Sequence, residues 1–263
     1  MAKTRLSYQD TGVDGPALLL VHGFPLSSEM WRPQLDALGG RRRIVAPDLP
    51  GFAGSEPAPD PLGVTMDYYA DALAELLVDL GIDSVALGGL SMGGYVALAF
   101  WRRHPAAVDA LILADSRAEA DGPEAIAKRS AQQKQIRTGG TEDLIPQLLD
   151  GLLGATTKDQ RPEVKESVRG LMAHPAEGYI GALEAMKNRP DSTGDLPGIT
   201  VPTLLVVGDQ DNLTPVELTR YMHQHIAGSQ MVVIPEAGHL SNLEAPEAFT
   251  AAVSGFLGEL ERA

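Results

Sequence analysis

Eighteen consecutive residues, SVALGGLSMGGYVALAFW (residues 84–101), carry no charge. A run of that length and polarity is long enough to cross a bilayer. Its centre argues against a span. In GGLSMGG four glycines surround one serine, and each glycine costs roughly 1 kcal/mol relative to alanine inside a helix. The string divides more naturally into a strand, SVALG (84–88), a glycine-rich turn, and a helix through YVALAFWRRH (95–104). That helix ends on Arg102 and Arg103, where cations complement the helix dipole. A buried strand that hands over to a buried helix through a serine therefore constrains everything else in the chain.

The remainder keeps the same rhythm. ALLLV (17–21), IVA (44–46), VDALILA (108–114), TLLVVG (203–208) and QMVVIP (230–235) are short apolar runs bounded by turn residues, which predicts buried strands. Helical spacing fills the intervals at 28–38, 66–80, 215–226 and 246–260. Such alternation predicts an α/β fold, a mostly parallel central sheet with helices on both faces. The stretch 117–195 departs from it and reads as four helices, at 123–138, 142–153, 162–173 and 176–187; Leu144, Leu148 and Leu152 mark one apolar stripe. The expected organisation is a core of residues 1–116 and 196–263, with 117–195 a helical cap inserted between two core strands.

A strand, then G-L-S-M-G, then a helix, sets a serine on a strained turn with its hydroxyl above the sheet. Gly89 and Gly93 are needed because a side chain there would collide with backbone, and Gly88 and Gly94 give further room. A serine at neutral pH is a poor nucleophile and needs a histidine held by a carboxylate. In this setting the chain order is serine, acid, histidine. Of six histidines, His104, His223 and His225 fall on predicted helices, His174 falls in the cap, and His22 precedes the serine. His239, in EAGHLSNLE after the last strand, is the expected base. For the acid, Asp211 and Asp209 follow TLLVVG, and Asp115 follows the preceding strand in LILADSRA. Loop reach favours Asp211, with Asp115 its rival and Asp209 third. Acyl transfer also needs oxyanion donors. These are expected from the N–H of Met92, after the serine, and of Phe24 in HGFP, since Pro25 has no N–H.

HGFP, DLPGFAGS, GLSMGG, GDQD and AGH stand in the order found in α/β-hydrolase fold enzymes, which the chain resembles over essentially its whole length. The resemblance implies a triad of Ser91, Asp211 and His239, an oxyanion hole from Phe24 and Met92, and chemistry without cofactor or metal. From LADSRAEADGPEAIAKR onward the chain is similar to the branch containing 3-oxoadipate enol-lactonases and small carboxylesterases. Serine at the turn departs from the haloalkane dehalogenase and epoxide hydrolase branches, which carry aspartate there. The implied activity is hydrolysis of small carboxylic esters through an acyl-enzyme. The alternatives are a lactonase of the enol-lactonase type, a perhydrolase with the same triad, and a hydrolase-fold ligand receptor.

Charge narrows the partners. With 35 Asp and Glu against 21 Lys and Arg, the net charge of -14 disfavours nucleic acid and anionic membrane surfaces. The absence of cysteine excludes thiol nucleophiles and disulfides. MAKTRLSYQDTG lacks the apolar core of a secretory signal, so a cytoplasmic location is expected. The expected partner is a small-molecule ester or lactone. Most of the excess acid lies outside the cap, which leads to an expected preference for neutral short-chain esters over carboxylate-bearing ones. The cap cations Arg117, Lys128, Arg129, Arg137 and Lys187 are expected in solvent.

Overall fold

The computed structural model describes residues 4–262. In chain order its elements begin with β1 (Tyr8–Asp10), β2 (Ala17–Val21), α1 (Arg32–Leu38), β3 (Arg43–Pro47), α2 (Met66–Asp79), β4 (Val85–Leu90), α3 (Met92–Arg103) and β5 (Val108–Ala114). Between β5 and the next strand stand α4 (Pro123–Gly139), α5 (Ile145–Leu152), α6 (Ala155–Gln160), α7 (Pro162–Gly170) and α8 (Ala176–Lys187). The chain closes with β6 (Thr203–Gly208), α9 (Val216–His225), β7 (Gln230–Ile234), α10 (Ser241–Glu244) and α11 (Pro246–Leu260). The seven strands form one sheet in the order β1-β3-β2-β4-β5-β6-β7, parallel throughout except for β1, which runs antiparallel to β3.

Period-two alternation assigns each strand residue to a layer. Leu19, Val21, Val45, Leu87, Leu111, Leu113 and Leu205 pack in one layer with Tyr69 and Leu73 of α2 and Val96 and Phe100 of α3. Leu18, Leu20, Ile44, Ala86, Ile112, Leu204 and Val206 face the other way, against Leu35 of α1 and Phe249, Val253 and Phe256 of α11. Because both faces are covered, β2, β4 and β6 are buried along their whole length, which explains why they read as unbroken apolar runs. No helix among the described residues is long and apolar enough to cross a membrane.

Several boundaries differ from the sequence reading. The predicted helix at 28–38 is a 3-10 turn over Ser28–Trp31 followed by α1, with Pro33 in the first turn, where its missing N–H costs nothing. The helix after the glycine-rich turn starts at Met92, three residues before the predicted start. β1 and α6 were not anticipated. β1 is three residues long, with its side chains half-buried or exposed, and α6 buries only Thr157.

The strand order reverses between β2 and β4, which are neighbours in space but are joined through β3 at the other side of β2. Open α/β sheets leave a crevice at such a point, outside the carboxyl ends of the strands. The loops after β2 and β4 open there, carrying Phe24 and Ser91.

Candidate active site

Ser91 links β4 to α3 with φ 55° and ψ -114°, a left-handed conformation that costs a non-glycine residue of order 1–3 kcal/mol. Packing around it over-determines that geometry. A Cβ on Gly89 would overlap the Gly93 carbonyl, one on Gly93 the Val21 carbonyl, and one on Gly94 the Ser116 side chain. Only glycine fits at these three positions, whereas at Gly88 a Cβ would meet just the flexible end of Leu20 at 2.8 Å. Backbone bonds fix the turn further. Ser91 N–H donates to the Ala114 carbonyl at 2.9 Å, and the Ser116 hydroxyl donates to the Ser91 carbonyl at 2.9 Å.

Three predicted residues meet above the sheet. Ser91 Oγ lies 2.7 Å from His239 Nε2, and His239 Nδ1 lies 2.7 Å from Asp211 Oδ2. Asp211 is itself held: Oδ1 accepts the N–H groups of Leu213 and Thr214 at 2.8 and 2.9 Å, and Oδ2 accepts the Thr214 hydroxyl at 2.5 Å. Burial alone would raise the Asp211 pKa, but the His239 imidazole and these donors bring it down to about 2. Burial likewise works to lower the His239 pKa, and the Asp211 carboxylate beside it outweighs that and raises it.

The rival acids stand differently. Asp115, fully buried after β5, accepts the Gly208 N–H at 2.8 Å and the Ser241 hydroxyl, and no hydrogen bond joins it to His239. Burial, with the Asp211 carboxylate nearby, pushes its pKa up to about 8. Asp209 is exposed. His22 is buried with Nδ1–H donating to the Gly23 carbonyl at 3.0 Å and Nε2 accepting the Leu49 N–H at 2.9 Å. Burial takes its pKa down to about 4, so it stays a neutral brace between two loops.

Phe24, Ser91 and His239 line one pocket of about 230 Å³, together with Tyr95, Leu148, Leu152, Met186 and Thr214. Gly23 lies against the turn, with its missing Cβ 3.3 Å from the Leu90 carbonyl and 3.4 Å from Ser91 Cβ. As the first residue of α3, Met92 has an N–H without an acceptor inside the helix. The cap cations were expected in solvent, and for two of them this is corrected: Arg117 and Arg129 are half-buried in the pocket wall, while Lys128 borders the same pocket and is exposed as expected. Arg137 is exposed as expected, and Lys187 pairs with Glu184 at 2.7 Å.

Sequence reasoning missed Thr214 and Glu244. Buried Glu244 accepts the N–H groups of Gly238 and Leu240, on either side of His239, at 3.0 and 3.1 Å, and that of Gly154 at 2.8 Å. The His239 N–H donates to the Leu152 carbonyl at 3.1 Å, and Arg161 donates to the carbonyls of Glu236 and Glu244. The histidine loop is thus bound to the helical insert. The one sequence signal was a lone acidic residue in the otherwise uncharged return LSNLEAP.

A family model described as alpha/beta hydrolase fold matches residues 16–246. The chain belongs to the α/β-hydrolase fold family. It is 42% identical to a thermophilic esterase from Thermogutta terrifontis, solved with malate bound, with a TM-score of 0.93 over 97% of this chain and 94% of that one. The enol-lactonase from Burkholderia xenovorans LB400 matches at 30% identity and a TM-score of 0.90 over 98% of both chains. Among curated proteins, 3-oxoadipate enol-lactonase 1 of Acinetobacter baylyi is 28% identical over 261 residues, 97% of this chain and 94% of that protein.

Proposed function

We propose that the protein hydrolyses carboxylic esters of small molecules through an acyl-enzyme, with Ser91 as nucleophile, His239 as general base and then acid, and Asp211 as the carboxylate that orients the imidazole. The observation that carries this is the chain of short contacts from Ser91 Oγ through both nitrogens of His239 to Asp211. In the first half-reaction His239 Nε2 takes the hydroxyl proton as Oγ attacks the ester carbonyl. The oxyanion is received by the N–H groups of Phe24 and Met92. Collapse expels the alcohol, which leaves with the proton that His239 returns. Water then enters by the same route, and its attack releases the acid and restores Ser91. In this reading residues 117–195 form a cap over a core of 1–116 and 196–263, and the pocket lies between them.

A lactone is the second reading, favoured by the enol-lactonases among the relatives. The same steps apply, with the leaving alcohol still tethered to the acyl group. To test the shared mechanism, Ser91→Ala should lower kcat by about 10⁴- to 10⁶-fold with the thermal transition unchanged. A fluorophosphonate should add its mass to the peptide containing Ser91. Labelling at Ser55 or Ser241 instead, or turnover surviving in the alanine variant, would sink the assignment.

A further inference from the structure

The wall of the pocket beside Ser91 holds three cations, Arg117, Lys128 and Arg129, and no carboxylate, in a chain where acids outnumber bases 35 to 21. Two of them belong to an unbalanced cluster. Arg117 Nη2 lies 2.8 Å from Asp121, Arg189 Nη1 lies 2.7 Å from it, and Arg129 Nε is also in contact. Burial works to raise the Asp121 pKa, but the Arg129 and Arg189 guanidiniums outweigh it and hold the carboxyl below its usual range. Asp121 is thus shared by three guanidiniums, and even with Asp191 also acting on Arg189 the cluster carries an excess of positive charge.

The layering of the cluster gives that charge a direction. The Asp121 side chain is fully buried and Arg189 nearly so, stacked 4.1 Å over the Tyr95 ring, while Arg117 and Arg129 keep 24% and 18% exposure. The Asp121 carboxylate forms the base, and the two partly exposed guanidiniums lie along the pocket. Their placement follows from α4: Ala125, Lys128, Arg129 and Gln132, at i, i+3, i+4 and i+7, are the face of α4 that lines the cavity. The adjoining face is committed elsewhere, since the Gln133 amide donates to Ile180 and Glu184 of α8. Positive charge in excess of its counter-ions and held partly out of water is costly, and it attracts an anion more strongly than the same charge in bulk solvent.

We propose that this wall is a subsite for a carboxylate on the substrate, with the N–H groups of Arg117 and Arg129 that Asp121 does not take as its donors and Lys128 at the rim, so that the preferred esters carry a negative charge on the part that enters the pocket. Charge-assisted N–H donors favour an oxyanion acceptor, which makes a carboxylate the complementary ligand on an ester's acyl chain. The proposal rests on the ester-hydrolase reading above and reverses the preference for neutral esters expected from overall charge.

The test uses p-nitrophenyl half-esters of straight-chain diacids with three, four and five methylenes, each against its twin with a primary amide in place of the free carboxylate. The twins differ in charge and hardly in size. At low ionic strength the wild-type protein should favour the carboxylate of at least one pair by about fivefold or more in kcat/KM, mainly through KM, and added salt should shrink the ratio. Lys128→Gln and Arg129→Gln should each lower that ratio by about threefold or more. If Arg129→Gln fails to fold, Lys128→Gln still decides, because Lys128 stands outside the Asp121 cluster. A wild-type ratio below fivefold in every pair, or a ratio that Lys128→Gln leaves intact, overturns the subsite. Hydrolysis of the amide twins in that case leaves the ester-hydrolase reading standing, whereas no hydrolysis of any ester removes both.

Discussion

Two buried aspartates lie within electrostatic reach of His239, and their surroundings push them in opposite directions. Asp211 has four contacts that favour its charged form, from His239, Thr214 and the two backbone amides. Asp115 is held close to the ionised Asp211 in a fully buried site and keeps its proton up to about pH 8. Asp211→Asn should therefore lower kcat by about 10⁴-fold, because the imidazole is left in the wrong tautomer. Asp115→Asn swaps one neutral group for another and should cost less than about tenfold at pH 7. Steady-state kinetics on the two variants decide this, and a collapse in Asp115→Asn with Asp211→Asn near wild type would move the acid to β5. The base supplies a second check. His239 must be neutral to accept the Ser91 proton, so kcat/KM should rise with pH as the imidazole deprotonates. Since Asp211 raises the His239 pKa, the midpoint should lie above the ordinary histidine value of about 6.5. A profile flat across that range, or one with a lower midpoint, would contradict a histidine base paired with a carboxylate. The residues themselves were legible because a nucleophile, an acid and a base each need a loop after a strand, and strand ends are visible in sequence. Loop reach ranked Asp211 ahead of Asp115, but the bond itself was not legible, because it depends on how the loop after β6 bends toward His239.

Elements with complete apolar faces were the most legible. The strands β2, β4, β5 and β6 and the helices α2, α3 and α11 present complete apolar faces, so their periodicity stands out. β1 and α6 are held by hydrogen bonds and neighbours rather than by apolar faces of their own, and nothing in composition marks them. The same invisibility covers α10, four residues whose Glu244 serves three backbone amides across a turn. Replacing Glu244 with alanine leaves those three donors without an acceptor, at about 1–3 kcal/mol each. We expect Glu244→Ala to destabilise the protein by about 3 kcal/mol or more in urea unfolding. Glu244→Gln, which keeps one acceptor oxygen, should fall between alanine and wild type. An alanine variant within about 1 kcal/mol of wild type would show that the histidine loop is anchored by other contacts.

At the scale of the whole molecule, composition speaks of averages and the pocket is an exception to them. A net charge of -14 describes the field far from the surface, where individual groups blur together. Within a pocket the nearest few groups dominate, and which cations face inward depends on the rotation of α4 about its axis. A count cannot report that rotation. A helical stripe can, but only once the neighbour it packs against is known. The helices between β5 and β6 were readable as a break in the alternation of strands and helices, whereas their bonds to the loop carrying His239 were not, since each bond from Leu152, Gly154 and Arg161 has a backbone group at one end or both.

Those bonds bear on how such a protein can diversify. A recombination event that exchanged residues 117–195 for the equivalent piece of another chain would bring in a new pocket wall, yet sever the struts that hold His239 in register. Only an exchange that also carried residues 236–244 would transfer both halves of the fitting. The stretch that walls the pocket and the loop that carries His239 are far apart in sequence, but they are inherited to best effect as a pair.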